Sequence, residues 1–294
     1  MPPRVPEPRA AGITIDLADE MPDNRIIIDT AGLERLRDIV VGAAREELLP
    51  RFARVKRGRK ADGSVITEAD LVVQQRIAGD LREHWPDTVF LGEEMPATEQ
   101  DKLLKMGRPL WCLDPLDGTG NFAAGIPFFS VSLALLQQGR VAAGIVYDPV
   151  RDECFSALCE QGARLNHSAL TAVHAGLTLQ QATGLVDFKR LPHELALRLV
   201  TDMPYASQRS FGSVALDWCW IAAGRCHIYL HGRQNIWDYA AGHLVLQEAG
   251  GHATTLSGEP VFVNALQPRS AVAALDADLF SEWTRWLDIS PGGF

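Results

Sequence analysis

The segment that most constrains the fold and chemistry of this chain is WCLDPLDGTGNF, residues 111–122. Asp114 and Asp117 follow a short apolar run and lie three residues apart, with Pro115 between them and Gly118 behind them. Aspartate, proline and glycine all favour bends, so a simple turn would account for this segment alone. Further acidic residues elsewhere in the chain favour a different interpretation.

These other acids also lie at the ends of predicted strands or the starts of predicted helices. Glu93 and Glu94 follow the apolar run VFLG, Asp238 follows Trp237 at the start of a predicted helix, and Asp70 lies in TEAD at the start of another. Asp70 and Asp238 have an ordinary structural explanation, because acids stabilise helix N-termini. Since ligand sites form where neighbouring strands end, however, the carboxylates are expected to converge.

Converging carboxylates predict a bound cation. Like charges raise one another's pKa unless a cation lies among them. Oxygen ligands without histidine or cysteine favour Mg²⁺ or Mn²⁺ over zinc. A carboxylate cluster that binds two or more Mg²⁺ ions is typical of phosphoryl transfer. Gly118 and Thr119 lie where a helix would begin, so their backbone N–H groups are available to a phosphate.

The pattern of the remaining chain favours layered α/β sheets. Helices are predicted at 30–54, 67–84, near 192–202 and 213–224, and from 236 onward; strands are predicted at TVFLGEE, RPLWCLDPLDG, three segments within 128–158, TGLVDF and RCHIYLH. RVKRGRKADGSV is predicted to be a loop or a short hairpin. We expect a mobile arm at residues 1–28, an N-terminal α+β subdomain at 29–150 with most of the acids, and a C-terminal α/β subdomain at 151–294 with Asp238.

Composition excludes several classes of function. The net charge is −9, with 28 basic and 37 acidic residues, which argues against direct nucleic-acid binding. No run approaches the ~18 consecutive apolar residues of a membrane span, and the first residues show no apolar signal core. The five cysteines form no CxxC pair, which is typical of reduced thiols, so a cytoplasmic location is expected.

Three motifs make the sequence resemble the inositol monophosphatase family. GEE at 92–94, WCLDPLDGTGNF at 111–122 and IWDYAAGHLVLQEAGG at 236–251 occur in the family's order, and the resemblance covers residues 33 to 288. It implies an αβαβα sandwich of the sugar-phosphatase type, a homodimer and lithium sensitivity. It also implies Mg²⁺-dependent hydrolysis of a small phosphate monoester by metal-activated water attack. Two or three Mg²⁺ ions are expected, with Mn²⁺ as a substitute.

The resemblance further implies a role for each motif residue. The metal ligands would be Glu93, Asp114, the main-chain carbonyl of Leu116, Asp117 and Asp238, with Glu94 in a supporting position. The catalytic residues would be Asp70 and Thr119, which polarise the attacking water, together with Glu93. The substrate would meet the N–H groups of Gly118 and Thr119, and its alcohol part would meet Gly212, Ser213, Val214, His231 and Arg233.

The sequence departs from the family at position 231. Inositol-specific members have a glutamate there that binds ring hydroxyls, whereas this chain has His231, followed by Gly232 and Arg233. A neutral histidine has one acceptor atom, so it serves fewer hydroxyl donors. Arg233 either meets a second anionic group of the substrate or pairs with a nearby acid.

Three functions therefore remain open from the sequence. The first is an inositol monophosphatase-like enzyme, and the second is a phosphatase of nucleotide bisphosphates or of another small sugar or alcohol phosphate. The third is a regulatory protein that uses the phosphatase fold to bind RNA polymerase or ribosomal machinery. The complete set of candidate ligands favours an enzyme.

Overall fold

A computed structural model describes residues 25–54, 58–59, 65–172, 174 and 176–290. Most of the predicted mobile arm, residues 1–24, lies outside this range. Residues 25–28 are attached to the domain, because the backbone N–H and carbonyl of Ile26 each form a 3.0 Å hydrogen bond with the side chain of Gln137. Ile28 is buried. The arm predicted at 1–28 is therefore anchored at its last four residues.

The described residues form eight α-helices and fourteen strands. The helices are α1 (Thr30–Ala43), α2 (Glu68–His84), α3 (Ala97–Lys105), α4 (Thr119–Ala124), α5 (His193–Thr201), α6 (Val214–Ala222), α7 (Ile236–Glu248) and α8 (Ala277–Trp286). The strands are β1 (Gly58–Arg59), β2 (Val65–Ile66), β3 (Val89–Gly92), β4 (Leu110–Asp117), β5 (Ser130–Gln137), β6 (Arg140–Asp148), β7 (Glu153–Leu158), β8 (Ala163–Leu165), β9 (Ser168–Leu170), β10 (Thr183–Asp187), β11 (Ser207–Arg209), β12 (Ile228–Gln234), β13 (His252–Thr254) and β14 (Arg269–Ala274).

Two mixed sheets organise the chain. The first has the order β3-β4-β5-β6-β7-β8-β9, and the second has the order β11-β10-β12-β14-β13. β3 is parallel to β4 in the first sheet, and β10 is parallel to both β11 and β12 in the second. The soft boundary predicted near residue 150 falls inside the first sheet, because β7, β8 and β9 all belong to it. The chain leaves this sheet only after Leu170.

The layers alternate as an αβαβα sandwich, which confirms the predicted fold class. α1 and α2 pack on one face of the first sheet, α6 and α7 lie between the sheets, and α8 packs on the second sheet. Three apolar cores fill the spaces between these layers. α7 is buried along much of its surface, including Tyr239, Ala240, Ala241 and Leu244, as expected for a helix without a polar face.

The first predicted helix changes geometry near its end. α1 begins after Asp29, whose Oδ1 accepts a 2.8 Å hydrogen bond from the Gly32 N–H. Beyond Ala43 the chain continues as a π-helical turn at Ala44–Leu48 and a 3₁₀ turn at Leu49–Arg51. Pro50 has no N–H to donate, so the α-helical hydrogen-bond pattern does not resume after the π-helical turn.

The hairpin alternative for RVKRGRKADGSV is the one found at its described residues, where β1 and β2 pair antiparallel. No helix of the described residues is long and apolar enough to cross a membrane.

The contact between α6 and α7 gives a test of the central layer. A Cβ atom added at Gly242 would lie 2.7 Å from the Cβ of Trp218 and 3.0 Å from the carbonyl oxygen of Ala215. We expect Gly242→Ala to lower the free energy of unfolding by about 1–3 kcal/mol because the two helices must separate. Gly79→Ala, at an exposed site of α2 with open space around it, should instead raise it by about 0.5–1 kcal/mol. Urea denaturation measures the free energy of unfolding of both variants. An unchanged value for Gly242→Ala would contradict the close packing of α6 against α7.

Candidate active site

A bulge in β4 turns Asp114 and Asp117 to the same side of the first sheet. Asp114 pairs with Ser132 and Asp117 pairs with Ser130, so three steps along β4 match two along β5. In a regular strand, residues three apart point to opposite faces, and one extra residue reverses that relation. Pro115, which cannot donate a hydrogen bond, lies within the bulge. The two carboxylates therefore line one cavity.

β4 ends in a left-handed turn that starts α4. Gly118 has a φ of +92°, and an added Cβ would lie 3.1 Å from the carbonyl oxygen of Phe128. Glycine is the residue that fits this conformation without strain. The turn places Gly118 and Thr119 in the wall of the same cavity.

Asp70 and Thr119 are in direct contact. The Thr119 Oγ1 lies 3.1 Å from Oδ1 of Asp70 and 2.9 Å from the carbonyl oxygen of Leu116. A hydroxyl carries one hydrogen, so it serves one of these acceptors at a time. Oδ2 of Asp70 accepts 2.7 Å hydrogen bonds from the N–H of Thr67, as part of the capping box of α2, and from the Thr67 Oγ1. Asp70 is buried and is therefore held with Oδ1 toward Thr119.

Glu93 extends the pairing of β3 with β4 by one residue. Its N–H donates a 3.0 Å hydrogen bond to the carbonyl of Leu113, which places Glu93 beside the end of β4. The side chain of Gln100 on α3 donates to the carbonyl of Gly92 at 2.8 Å and to that of Glu93 at 3.3 Å. Glu93 lines the cavity whereas Glu94 does not, in keeping with the supporting position expected of Glu94.

Asp238 lies in the first turn of α7 but does not cap it. The N-cap is Asn235, and Oδ2 of Asp238 accepts a 2.8 Å hydrogen bond from the Asn235 N–H. Asp238 is instead the third residue of a capping box, the position that Asp70 occupies in α2. In both cases the cap fixes one carboxylate oxygen and hence the direction of the side chain.

Hydrogen bonds connect β4 and α4 to the segment before α6. Oδ2 of Asp117 accepts hydrogen bonds from Ser213 Oγ at 2.6 Å and from the Ala215 N–H at 2.7 Å. The side-chain amide of Asn121 donates to the carbonyls of Phe128 at 2.8 Å and Phe211 at 2.6 Å. These bonds bring residues 212–214 to the cavity wall, where the sequence placed them.

The cavity has a volume of about 830 Å³ and collects nearly all of the predicted site residues. Its wall contains the four carboxylates that we call the acidic group, namely Glu93, Asp114, Asp117 and Asp238. The other predicted residues in the wall are Leu116, Gly118, Thr119, Gly212, Ser213, Val214, His231 and Arg233. Asp70 is not part of the wall and reaches it through Thr119.

Burial and mutual repulsion raise the pKa values within the acidic group. Burial, followed by repulsion from Glu93, Asp117 and Asp238, raises the pKa of Asp114 well above its usual range. Burial raises the pKa of Asp117 to about 6, although hydrogen bonds from Ser213 and Ala215 act to lower it. The pKa of Asp238 is raised by burial and then by repulsion from Glu93 and Asp117. A cation among these oxygens would relieve both effects, and an all-oxygen donor set fits Mg²⁺ or Mn²⁺.

The acidic group surrounds the cavity without converging on a single point. Among the described residues, one group of three or more His, Cys, Asp or Glu side chains has ligand atoms all within 4.8 Å of one another, and it consists of His174, Asp276 and Asp278. His174 and Asp278 have side-chain exposures of 69% and 86%, which is ordinary for a surface ion-pair cluster. It contains none of the predicted ligands.

His231 lines the cavity, but both of its nitrogens are already occupied. Nδ1 accepts a 3.2 Å hydrogen bond from the Arg233 N–H, and Nε2 lies 3.0 Å from Oδ2 of Asp187. This pattern assigns the ring hydrogen to Nε2. The residue is only 3% exposed. In the structure His231 thus contacts Asp187 and the backbone of Arg233, and its contact with substrate hydroxyls stays a prediction.

Sequence reasoning missed several residues of the wall, and local signals could have found some of them. Asp187, Lys189, Arg190 and Asp217 all line the cavity. Asp187 ends the strand TGLVD, which is the same signal of an acid at a strand end that identified Glu93. Asp217 lies within α6 and faces the cavity. Its neighbours in the sequence do not indicate which way its side chain points.

Comparison with known proteins shows the family of the chain. The profile described as the inositol monophosphatase family matches residues 30–283, so the chain belongs to that family. The protein named Nus factor SuhB from Pasteurella multocida is 35% identical over 204 residues, which cover 68% of this chain and 74% of the relative. Inositol-1-monophosphatase from Bacillus subtilis is 32% identical over 201 residues, which cover 67% of this chain and 74% of the relative.

Solved structures show the same fold. The crystal structure of extragenic suppressor protein suhB from Bartonella henselae superposes with a TM-score of 0.76 at 29% identity and covers 88% of this chain and 98% of that one.

The raised pKa of Asp117 predicts how the metal-free protein responds to pH. The folded state raises this pKa from 3.8 to about 6, so it binds the proton more tightly than the unfolded state. The resulting stabilisation is therefore present below pH 3.8 and is lost as the pH rises through about 6. Asp117→Asn should flatten this part of the curve of unfolding free energy against pH, measured by urea denaturation in excess chelator.

The matched control is Asp38→Asn, which changes an exposed carboxylate of α1. It should leave the slope unchanged. Equal slopes for the natural protein and Asp117→Asn would contradict the burial of a charged Asp117.

Proposed function

We propose that this member of the inositol monophosphatase family hydrolyses a small phosphate monoester with the help of Mg²⁺. The observation that carries the proposal is one cavity that joins the acidic group to the Asp70–Thr119 pair. The name of the Bacillus subtilis relative, inositol-1-monophosphatase, supports a phosphorylated small alcohol as the substrate class. A cytoplasmic location and a homodimer are parts of the same proposal.

The acidic group and the Leu116 carbonyl would hold two or three Mg²⁺ ions, with Mn²⁺ as a substitute. Bound there, these ions would balance the phosphate charge and make a water molecule more acidic. The chain itself supplies the backbone N–H groups of Gly118 and Thr119 for the phosphate oxygens. Residues 212–214, fixed to Asp117 by hydrogen bonds, would contact the alcohol part of the substrate.

Asp70 is the proposed proton acceptor, with Thr119 between it and the attacking water. Burial raises the pKa of Asp70 above its ordinary value, because it outweighs the hydrogen bonds from Thr67 and Thr119. A carboxylate with a raised pKa is a stronger base. The Thr119 hydroxyl donates to Oδ1 of Asp70 and can accept a hydrogen bond from water at the same time. This arrangement requires no covalent intermediate on the protein.

A second proposal is regulatory binding, and one observation favours it. The Pasteurella multocida relative is named Nus factor SuhB. In that case an inactive Asp117→Asn protein would still capture a macromolecular partner. Failure of both the natural protein and the Asp117→Asn variant to capture a partner would instead support a solely enzymatic role.

Metal dependence is the first test of the proposed enzyme. Excess chelator should abolish phosphate release from phosphate monoesters, and Mg²⁺ should restore it. Asp117→Asn should lower turnover on the order of 10²-fold or more, because it removes a charge that helps to stabilise the transition state. Its fold should survive, since the amide oxygen can take the place of Oδ2 toward Ser213 and Ala215. Full activity in excess chelator would contradict a metal mechanism, and Asp38→Asn should remain fully active.

A double-mutant cycle tests the Asp70–Thr119 pair. Asp70→Asn and Thr119→Val should each lower turnover strongly, and the double variant should be little worse than either single variant, because both changes interrupt one proton path. Steady-state kinetics at saturating Mg²⁺ measures the four proteins. Fully additive losses would show that the two side chains act independently.

A further inference from the structure

Part of the cavity wall is basic, in contrast to the acidic group. Lys189 and Arg190 follow the end of β10, and Arg233 lies near the end of β12. All three side chains belong to exposed residues. Since β10 and β12 are paired neighbours in the second sheet, the three cations come from two adjacent strand ends.

The backbone holds these strand ends together very closely. A Cβ atom at Gly232 would lie 1.8 Å from the carbonyl oxygen of Arg190, so no side chain fits at position 232. β12 also contains a bulge, because His231 pairs with Ala271 while Gln234 pairs with Arg269. Bulges redirect side chains and are frequent beside active sites. The bulge and Gly232 together bring residues 190 and 233 to the same stretch of the wall.

The acceptor atoms of Asp187 and His231, beside these cations, are already engaged. Oδ1 of Asp187 accepts a 3.0 Å hydrogen bond from the Lys189 N–H, and its Oδ2 lies 3.0 Å from Nε2 of His231. Nδ1 of His231 accepts from the Arg233 N–H. Both oxygens of Asp187 and the acceptor nitrogen of His231 therefore already have protein partners, which makes this stretch of the wall less suited to a hydroxyl-rich alcohol.

The positive charges are only partly balanced. Nε of Arg190 lies 3.7 Å from Oδ2 of Asp187, which is a long contact. Among the described ion pairs, none involves the side chain of Lys189 or Arg233, whereas Arg45, Arg151 and Arg225 each have a carboxylate within 3.0 Å. An exposed guanidinium without a protein partner at the wall of a cavity is suited to an anionic group of a ligand.

We propose that Lys189, Arg190 and Arg233 bind a second anionic group of the substrate, so that the preferred substrates are phosphate monoesters whose alcohol part carries another phosphate. This inference rests on the proposed phosphatase function. Cations held by the acidic group would bind the phosphate that is removed, and Lys189, Arg190 and Arg233 would bind the one that remains. A volume of about 830 Å³ is adequate for a sugar bisphosphate or a nucleoside bisphosphate. The Asp187–His231 pair would position Arg233 and the turn after β10 without touching the substrate.

Matched substrates test the proposal. Adenosine 3′,5′-bisphosphate and adenosine 3′-monophosphate differ only in the second phosphate, as do fructose 1,6-bisphosphate and fructose 1-phosphate. We expect kcat/KM to be at least about tenfold higher for the bisphosphate in at least one pair, because a charged hydrogen bond contributes on that order. Which pair shows the preference distinguishes a nucleoside from a sugar. The preference should weaken at high salt.

Variants then identify the residues. Arg233→Gln should reduce the bisphosphate-to-monophosphate ratio of kcat/KM by about tenfold, mainly through KM for the bisphosphate, and Arg233→Lys should recover part of it. Arg164→Gln changes an exposed arginine of β8 outside the cavity and should leave the ratio unchanged. Equal efficiencies within both pairs, or a ratio that Arg233→Gln does not alter, would overturn the proposal.

Binding separates this proposal from the phosphatase activity on which it rests. Calorimetry of the Asp70→Asn protein with Mg²⁺ measures affinity for the same substrate pairs without rapid turnover. Tighter binding of the bisphosphate, lost on adding Arg233→Gln, would support the basic subsite even if no substrate were hydrolysed. Tighter binding without hydrolysis would contradict the proposed phosphatase activity but not the basic subsite. Equal affinity for both members of each pair would reject the subsite.

Discussion

Repulsion among buried carboxylates is the constraint on which the rest of this structure depends. Asp114 and Asp117 lie at the end of a fully buried strand, and their charges are opposed both by burial and by each other. Such a group is unfavourable by itself, and a bound cation reverses the balance. The fold therefore holds these oxygens in place at an energetic cost that a bound cation would offset. Capping boxes, a bulge and hydrogen bonds from Ser213 and Ala215 provide this placement.

Each of the two sheets contains a β-bulge where it borders the cavity. β4 has its bulge between Asp114 and Asp117, and β12 has its bulge between His231 and Gln234. In β4 the bulge brings two acids to one side, and in β12 it accompanies the close approach of Gly232 to Arg190. One cavity thus combines a part suited to cations with a part suited to anions. A bisphosphate would match this cavity, with one phosphate bound by cations in the acidic group and the other bound by Lys189, Arg190 and Arg233.

Local signals in the sequence predicted much of this arrangement. The acids at strand ends, the helix starts near Asp70 and Asp238, and the alternation of helices and strands all depend on residues close in the chain. Short strands and contacts between residues that are far apart in the sequence were found only in the structure. The short strands β8, β9, β11 and β13 are three residues long, so they carry too little periodicity to be recognised. The contact between His231 and Asp187 could not be predicted from the sequence, because Asp187 is on a strand 44 residues earlier. The subdomain boundary predicted near residue 150 lies in the turn between β6 and β7, which pair with each other.

The central claim is that the acidic group holds the catalytic cations, and a crystal structure with Mn²⁺ would test it most directly. Mn²⁺ is a suitable probe because it accepts the same oxygen ligands as Mg²⁺ and scatters X-rays anomalously. Our account predicts anomalous peaks bounded by Glu93, Asp114, Asp117 and Asp238, with the Leu116 carbonyl among the ligands. Peaks confined to the surface group of His174, Asp276 and Asp278, or no peak in the cavity at saturating Mn²⁺, would contradict it.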